Sequence, residues 1–447
     1  MNMNNKNLHS YYFIGIGGMG MSALARLCLI NGHRVFGYDV TPSQIINDLI
    51  SEGAQVTYHL SADALPSEVR NKNTEVVYTA AISRDHPQLK YFFAQGNNVR
   101  KRAVFLAELT SKIKTLAISG THGKTTTSAF LTHIFSETSQ EFTSIMGGFF
   151  KNQKSNLIVE GSNFLIVEAD EYDRSFLQLH PAIACITSMD ADHLDIYETN
   201  SSFSEAFIKF SSQVSHALVV AYGLPVNGIT YGIDVPADYR VENIIKNKLG
   251  YNFNIITPLR TYENVYLNQL GLHNISNALC AIAMADQIGV FTENSIKALT
   301  TFPGVQRRMD IMKYGDAIIV DDYAHHPTEI QNVLKTLKEF YPERKNCVIF
   351  QPHLFSRTQD FMNEFALVLS EFDEVLLLDI YPARELPISG ISAQVLLDQL
   401  NHLNKKLIVK SAIKESIDRS NARLFAFLGA GDIGLEVEKL KNHFTAS

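Results

Sequence analysis

Cysteine is scarce, long apolar runs are missing, and positive charge is not in excess. The four cysteines among 447 residues (Cys28, Cys185, Cys280, Cys347) lie far apart with no C-x-x-C pair. That excludes a disulfide scaffold and a zinc ribbon, and fits buried thiols in a reducing compartment. No stretch approaches the roughly 18 consecutive apolar residues that a membrane span needs. The polar start MNMNNKNLHS runs straight into a strand-like YYFIGI, so no secretory leader is expected. With 39 basic and 46 acidic residues the net charge is −7, which gives no general attraction to nucleic acid or to an anionic membrane. Short-period repeats and low-complexity tracts are absent too. What is present is material for a core, since 46% hydrophobic against 19% charged residues argues against global disorder. At roughly 150 residues per domain, the length suggests about three domains. The expectation is a soluble, cytoplasmic, multidomain protein.

Short apolar runs alternate with helical patterns along the first hundred residues. YYFIGI, HRVFGYD and EVVYTAA read as strands, and a helix carrying Met21, Leu24 and Leu27 follows the first. Such alternation predicts a parallel sheet with crossover helices. A second unit begins near Ser111, where KIKTLAIS leads into a glycine turn and a helix from Thr125 to about Phe135. LIVEADE and AIACITSMD repeat the theme. Phe302-Pro303-Gly304 is a linker-like break, after which DAIIVDDY, KNCVIFQ, DEVLLLDIY and ARLFAFLGA read as strands. The chain therefore reads as three α/β domains in series, with boundaries near 111 and 303.

Gly15-Ile16-Gly17-Gly18-Met19-Gly20 is a G-x-G-x-x-G between a strand and a helix. Its glycines let backbone N–H groups approach a pyrophosphate on the positive end of that helix. Asp39 closes the second strand, 19 residues past Gly20, where a dinucleotide fold places its ribose-binding acid. UDP, FAD and NAD carry the same linkage, so a nicotinamide-dependent oxidoreductase stays open as an alternative.

The second glycine turn is Gly120-Thr121-His122-Gly123-Lys124-Thr125-Thr126-Thr127. Its G-x-x-G-K-T is shorter than the usual phosphate loop, yet the chemistry is the same. Backbone amides cradle phosphate, Lys124 neutralises it, and the Thr125 hydroxyl suits Mg²⁺. Glu168, Asp170, Glu171 and Asp173 cluster after the next strand, and acids so close repel one another unless a cation is nearby. Asp190-Ala191-Asp192-His193-Leu194-Asp195 follows another strand end, and neutral imidazole can ligate metal.

Taken in order, GIGGMGMSALA, GTHGKTTT, and EADEYDRSF followed by DADHLDIY resemble the Mur ligase family. These are the ATP-dependent amino-acid ligases of peptidoglycan precursor synthesis. Leu270-Gly271-Leu272-His273-Asn274-Ile275-Ser276-Asn277 resembles the family's element bordering adenine, which implies His273, Asn274 and Asn277 on ATP. Gln306-Arg307-Arg308 resembles the linker whose arginine reaches ATP phosphates, which implies Arg308. The run Asp321-Asp322-Tyr323-Ala324-His325-His326-Pro327-Thr328-Glu329 resembles D-D-Y-G-H-H-P-T-E. Gln351-Pro352-His353 with Arg357 and Thr358, YPARELPISG and GAGDIG continue the likeness, which spans Phe13 to Gly434.

The resemblance implies a Rossmann-like domain over 1–111, holding a UDP-sugar with Gly15, Gly17, Gly18, Gly20 and Asp39. It implies a central P-loop ATPase-type mixed sheet over 112–302. There Gly120, Thr121, His122, Gly123, Lys124, Thr125 and Thr126 would bind ATP, together with Asp322 and Arg308 from beyond it. A second Rossmann-like domain over 303–447 would take the amino acid with Tyr323, His325, His353 and Arg357. Mg²⁺ would be held by Thr125, Glu168 and His193, and the reacting groups served by Lys124, His193, Arg308 and His325. Within the family, GIGGMGMS and QPH-x-x-x-RT resemble the members that attach L-alanine to UDP-N-acetylmuramate. The rival attaches a ready-made tripeptide to the same sugar. Leu354 stands where an arginine is common and Ala324 where a glycine is common. Lys209 lies close to the family's carbamylated-lysine position, but within FIKF it reads as a surface lysine. A monomer or homodimer acting on small molecules is expected.

Overall fold

A computed structural model describes residues 8–190, 197, 199–383 and 385–445. Three sheets follow one another along the chain. The first is fully parallel, in the order Gln55–Thr57, Arg34–Tyr38, Ser10–Ile14, Glu75–Tyr78, Val99–Lys101. Parallel strands are covered on both faces, so they read as near-continuous apolar runs. Tyr12, Phe13, Ile14, Val76 and Val77 are accordingly fully buried. The helix Met19–Ile30 seals one face with Met21, Leu24 and Cys28. The strand order reverses at Ser10–Ile14, and in an open parallel sheet that crevice is where ligands bind.

The second sheet has ten strands, parallel at its heart and antiparallel at both flanks. Lys114–Ser119 runs centrally, between Ile183–Ile186 and Phe164–Glu168. On one side the meander Tyr239–Lys246, Tyr251–Ile256, Thr261–Leu267 extends it. Its middle strand, Tyr251–Ile256, alternates buried and half-exposed residues, the mark of a one-sided sheet. Two helices, Lys124–Glu137 and Leu272–Asp286, lie together on the parallel part and bury Phe130, Ile134, Leu279 and Ile282. The third sheet runs Asp310–Tyr314, Ala317–Asp322, Leu424–Leu428, Asn346–Phe350, Glu374–Leu377, Lys405–Leu407, and only its first pair is antiparallel. The three-part α/β architecture with a mixed central sheet is as expected. All four cysteines are buried and unpaired. Among the described residues no helix is long and apolar enough to cross a membrane.

The sheets are tied by a few polar side chains. Buried Arg26 donates to Glu52 and, across to the central sheet, to Asn156 Oδ1 at 3.0 Å. Asn156 Nδ2 in turn donates to the Met19 carbonyl at 2.6 Å. On the other side, Tyr251 donates its hydroxyl to Glu339 at 2.7 Å, and Lys246 reaches the Glu339 carbonyl. Both glycine turns sit at the carboxyl ends of parallel strands, after Ser10–Ile14 and Lys114–Ser119.

Candidate functional site

The first glycine turn is held from below and beside. Gly15 adopts φ +85°, and a Cβ there would stand 2.6 Å from the Thr79 methyl. A Cβ on Gly17 would meet Ile46 Cδ1 at 2.8 Å and Asp39 Oδ2 at 2.9 Å. Asp39 is spoken for by the backbone, because Oδ2 accepts from Gly17 N at 2.7 Å and Oδ1 from Val40 N at 2.8 Å. It shapes the turn, and each oxygen keeps a second lone pair for a ribose hydroxyl. Gly18 caps the helix in extended conformation, leaving the Met19 and Gly20 amides without acceptors inside the helix. The cation here comes from outside the motif: Arg102 Nη1 lies where a Gly20 side chain would begin, 2.6 Å away.

The second turn carries its own cation. Gly120 and Gly123 have φ +126° and +82°, and a Cβ on Gly123 would collide with the Asn277 amide. Ser188 anchors the loop by accepting from Thr121 N and His122 N, and Thr121 Oγ1 donates to the Asp190 carbonyl at 2.7 Å. Lys124 Nζ folds back to donate to the Gly120 carbonyl at 2.6 Å and to both oxygens of Glu171 at 2.8 and 2.6 Å. Burial works against its ammonium, but Glu171, Asp170 and Glu168 outweigh that and hold its pKa above the usual lysine value. Burial conversely pushes Glu171 up to about 7, with Lys124 pulling the other way.

The acidic cluster is sorted by its partners. Glu171 takes Lys124, Asp170 faces Arg102 at 3.4 Å, and Asp173 pairs with Lys101 at 2.9 Å. Glu168 has no such cation among the described residues. Its oxygens accept from Thr125 Oγ1 at 3.1 Å, Ser128 Oγ at 3.1 Å and Gly147 N at 2.6 Å. A carboxylate and a hydroxyl oxygen side by side at the loop are hard donors that fit Mg²⁺. The third expected ligand, His193, lies outside the described residues. Lys209 is exposed on its helix.

The helix Leu272–Asp286 brings Asn277 against the loop, where its Oδ1 accepts from Thr127 Oγ1 at 3.3 Å. Asn274 Nδ2 donates to the Leu270 carbonyl at 2.7 Å. Thr126 is buried in the first turn of the loop helix. Burial lowers His273 to about 4, and Arg308 adds to the effect, so that ring is neutral.

From the third sheet, Asp322 accepts from Met309 N and Ala324 N at 2.7 and 2.8 Å, which shapes the strand end. Arg307 and Arg308 lie over the Tyr323 ring at 5.1 and 5.0 Å. Tyr323, His325 and His353 follow ring upon ring, with centroids 5.5 and 6.1 Å apart. Arg357, buried at 5% exposure, reaches His353 Nδ1 at 3.4 Å. The four residues expected around an amino acid are therefore neighbours. Leu354 holds φ +72°, an unusual backbone for a branched residue, at the start of the helix that carries Arg357.

Sequence reasoning assigned no role to Glu171, Arg102 or Glu329. Glu329 stands between the second and third sheets, 3.1 Å from His122 Nδ1 and 3.2 Å from His325 Nδ1. A weak signal existed, since Glu329 closes the motif that carries His325.

Three family descriptions match successive parts of the chain: the Mur ligase family catalytic domain over 10–114, the middle domain over 118–285, and the glutamate ligase domain over 307–432. The UDP-N-acetylmuramate–L-alanine ligase of Flavobacterium psychrophilum is 45% identical over 98% of this chain and 99% of that protein. Its counterpart in Christiangramia forsetii is 46% identical over 97% of each. Among solved structures, the UDP-N-acetylmuramate-alanine ligase of Thermotoga maritima superposes with a TM-score of 0.82 at 26% identity, covering 98% of this chain and 99% of that one.

Proposed function

The chain belongs to the Mur ligase family, and from that premise we propose that it joins L-alanine to UDP-N-acetylmuramate at the expense of ATP, in the cytoplasm. The observation that carries this choice of amine is full-length identity of 45 and 46% to two L-alanine ligases.

A carboxylate is a poor electrophile, so it must first be activated. The muramoyl carboxylate oxygen attacks the γ-phosphorus of ATP; the new O–P bond forms as the bridging P–O bond to ADP breaks. The alanine nitrogen then attacks the acyl carbon, the C–N bond forms, and the C–O bond to phosphate breaks. Of the two protons that the ammonium sheds, one goes to a base before attack and the other leaves after it.

The chain's residues divide this work by sheet. Met19 and Gly20 amides, with Arg102 beside them, hold the UDP diphosphate at the first crevice. Lys124 exchanges Glu171 for the transferring phosphoryl, where negative charge builds up, and Arg308 approaches from the third domain. Thr125, Glu168 and His193 would hold Mg²⁺, whose contribution is to neutralise phosphate and carboxylate charges that must meet. Asn274, Asn277 and neutral His273 border the adenine. Arg357 pairs with the alanine carboxylate, a charge-assisted contact of fixed geometry. His325 has the intrinsic basicity to take the amine's proton. Because three substrates meet between three domains, closure excludes water from the acyl phosphate.

The decisive assay is a panel of amines with UDP-N-acetylmuramate and ATP, reading phosphate release. L-Alanine is the expected substrate and glycine a poor one, since a methyl is worth about 1–3 kcal/mol in such a pocket. Ligation of L-Ala-γ-D-Glu-meso-diaminopimelate with no activity on L-alanine overturns this reading in favour of the tripeptide-adding kind.

A further inference from the structure

Glu329 sits in the first turn of the helix Pro327–Phe340 and is 16% exposed, yet it is used by neither nucleotide nor amino acid in the scheme above. Its two oxygens serve different sheets. Oε1 faces His122 Nδ1 of the phosphate loop at 3.1 Å. Oε2 accepts from the His325 backbone N at 2.9 Å and lies 3.2 Å from His325 Nδ1. On its far side, His122 Nε2 is in ion-pair range of Asp190 Oδ2, at 3.2 Å. His326 packs over the His122 ring with centroids 4.8 Å apart.

The proton positions follow from the acceptors. His325 Nδ1 also lies 2.9 Å from the Tyr323 carbonyl, which can only accept. Among the described residues both polar neighbours of Nδ1 are acceptors, so the neutral ring carries its proton there and is basic at Nε2. Burial opposes charge on Glu329, but His325, His122 and Arg308 outweigh it and hold its carboxyl well below the usual range. The group is therefore a permanent anion bridging two rings.

We propose that Glu329 is a positioning residue that joins the phosphate loop to the amine site, fixing His325 with Nε2 toward the incoming amine when the third domain rests on His122. His325 then accepts one proton from the alanine ammonium, and the carboxylate stabilises the imidazolium that results. The bridge makes the second half-reaction depend on contact between the domains, so the acyl phosphate meets a competent base only in the closed form. This rests on the ligase reading above.

The test compares full-length wild type, Glu329→Gln and Glu329→Asp with L-alanine and with hydroxylamine as acceptor. Hydroxylamine is unprotonated at neutral pH and needs no base to intercept the acyl phosphate. Glu329→Gln is expected to lower kcat with L-alanine by about 10²-fold, the scale of general-base catalysis. Hydroxamate formation and the KM for UDP-N-acetylmuramate should change far less. Losing the anion makes the His325 ring less basic, so the acid limb of the alanine profile should move to lower pH. Glu329→Asp keeps the charge and should fall between the two, which separates positioning from misfolding. Equal losses with both acceptors and an unmoved acid limb overturn the proposal while leaving the ligase reading intact. A wild type inactive on L-alanine overturns both.

Discussion

The two glycine turns have the same local grammar and opposite electrostatics. Each follows a buried parallel strand, opens a helix and offers amides to an anion. The first uses its acid, Asp39, to brace the turn and borrows Arg102 from a helix more than eighty residues away in sequence. The second carries Lys124 within the motif and stores it on Glu171. A diphosphate that is only held needs amides and one lateral cation. A phosphoryl that is transferred needs a cation able to follow it, and a lysine on a flexible stem does that better than a braced arginine. On the proposed ligase reading, the difference separates a binding turn from a reacting one.

The sharpest way to break that contrast is Lys124→Ala. Losing one positioned cation in phosphoryl transfer costs several kcal/mol of transition-state stabilisation, or about 10³-fold or more in kcat. UDP-sugar affinity, measured by calorimetry, should stay largely intact. A matching loss of that affinity would merge the two sites into one.

Gly123→Ala comes next. At φ +82° with Asn277 in the path of a Cβ, alanine is strained twice. A cost of about 1–3 kcal/mol is expected from the backbone alone, visible as a lowered melting temperature and a weakened response to ATP.

Titration should separate the two regions by sign. Burial opposes the charge on His122, yet Asp190 and Glu329 raise it to about 9 from 6.5. Its folded form keeps a proton that the unfolded chain releases. That stability is fully present below about pH 6.5 and lost as pH rises through about 9, at most roughly 3 kcal/mol. His86, packed on Tyr38 beside the first turn, is lowered by burial. Its contribution is present above pH 6.5 and lost as pH falls. Hydrogen exchange against pH should therefore show loosening of 120–137 on the alkaline side and of the first sheet on the acid side.

The strands that carry both turns were legible because parallel strands buried on two faces are largely apolar, as in residues 116–118 and 11–14. Lys114–Ser119 and Ser10–Ile14 are plain in the sequence. The meander of the central sheet was not, since strands such as Tyr239–Lys246 alternate polar and apolar residues and end in charge. The candidate site divides the same way. Glycine turns and the residues of local motifs can be read directly, because the loop that needs them is contiguous. The ion pairs that assign work to Arg102, Glu171 and Glu329 join residues 68, 47 and 207 positions apart. No local pattern encodes those. The sorting of four acids, three on protein cations and Glu168 on neutral donors, exists only once the chain is folded.

Asp39→Asn should have a moderate effect confined to the first turn. Whichever way the amide is turned, its NH₂ faces a backbone N–H, of Gly17 or of Val40, that loses its acceptor. An unmet donor costs about 1–3 kcal/mol when buried and less at this half-exposed position. UDP-sugar binding should weaken by about tenfold, with the KM for ATP unchanged. A shift in the ATP constant would mean that the two turns communicate.

Gly18→Ala should have the smallest effect on the fold, and it sharpens the comparison with Gly123. Gly18 sits at φ −65° and ψ 146°, an extended conformation open to any residue. A Cβ there would meet nothing nearer than the Gly15 carbonyl at 3.5 Å, an ordinary contact. Gly18 is thus not demanded by the protein's own backbone or packing. Its melting temperature should match wild type, with stability unchanged within about 0.5 kcal/mol, the range of substitutions that touch no special feature. If UDP-sugar affinity nevertheless falls while the fold is untouched, the missing side chain makes room for the ligand. A destabilised but fully binding variant would instead make Gly18 a structural residue and remove it from the substrate site.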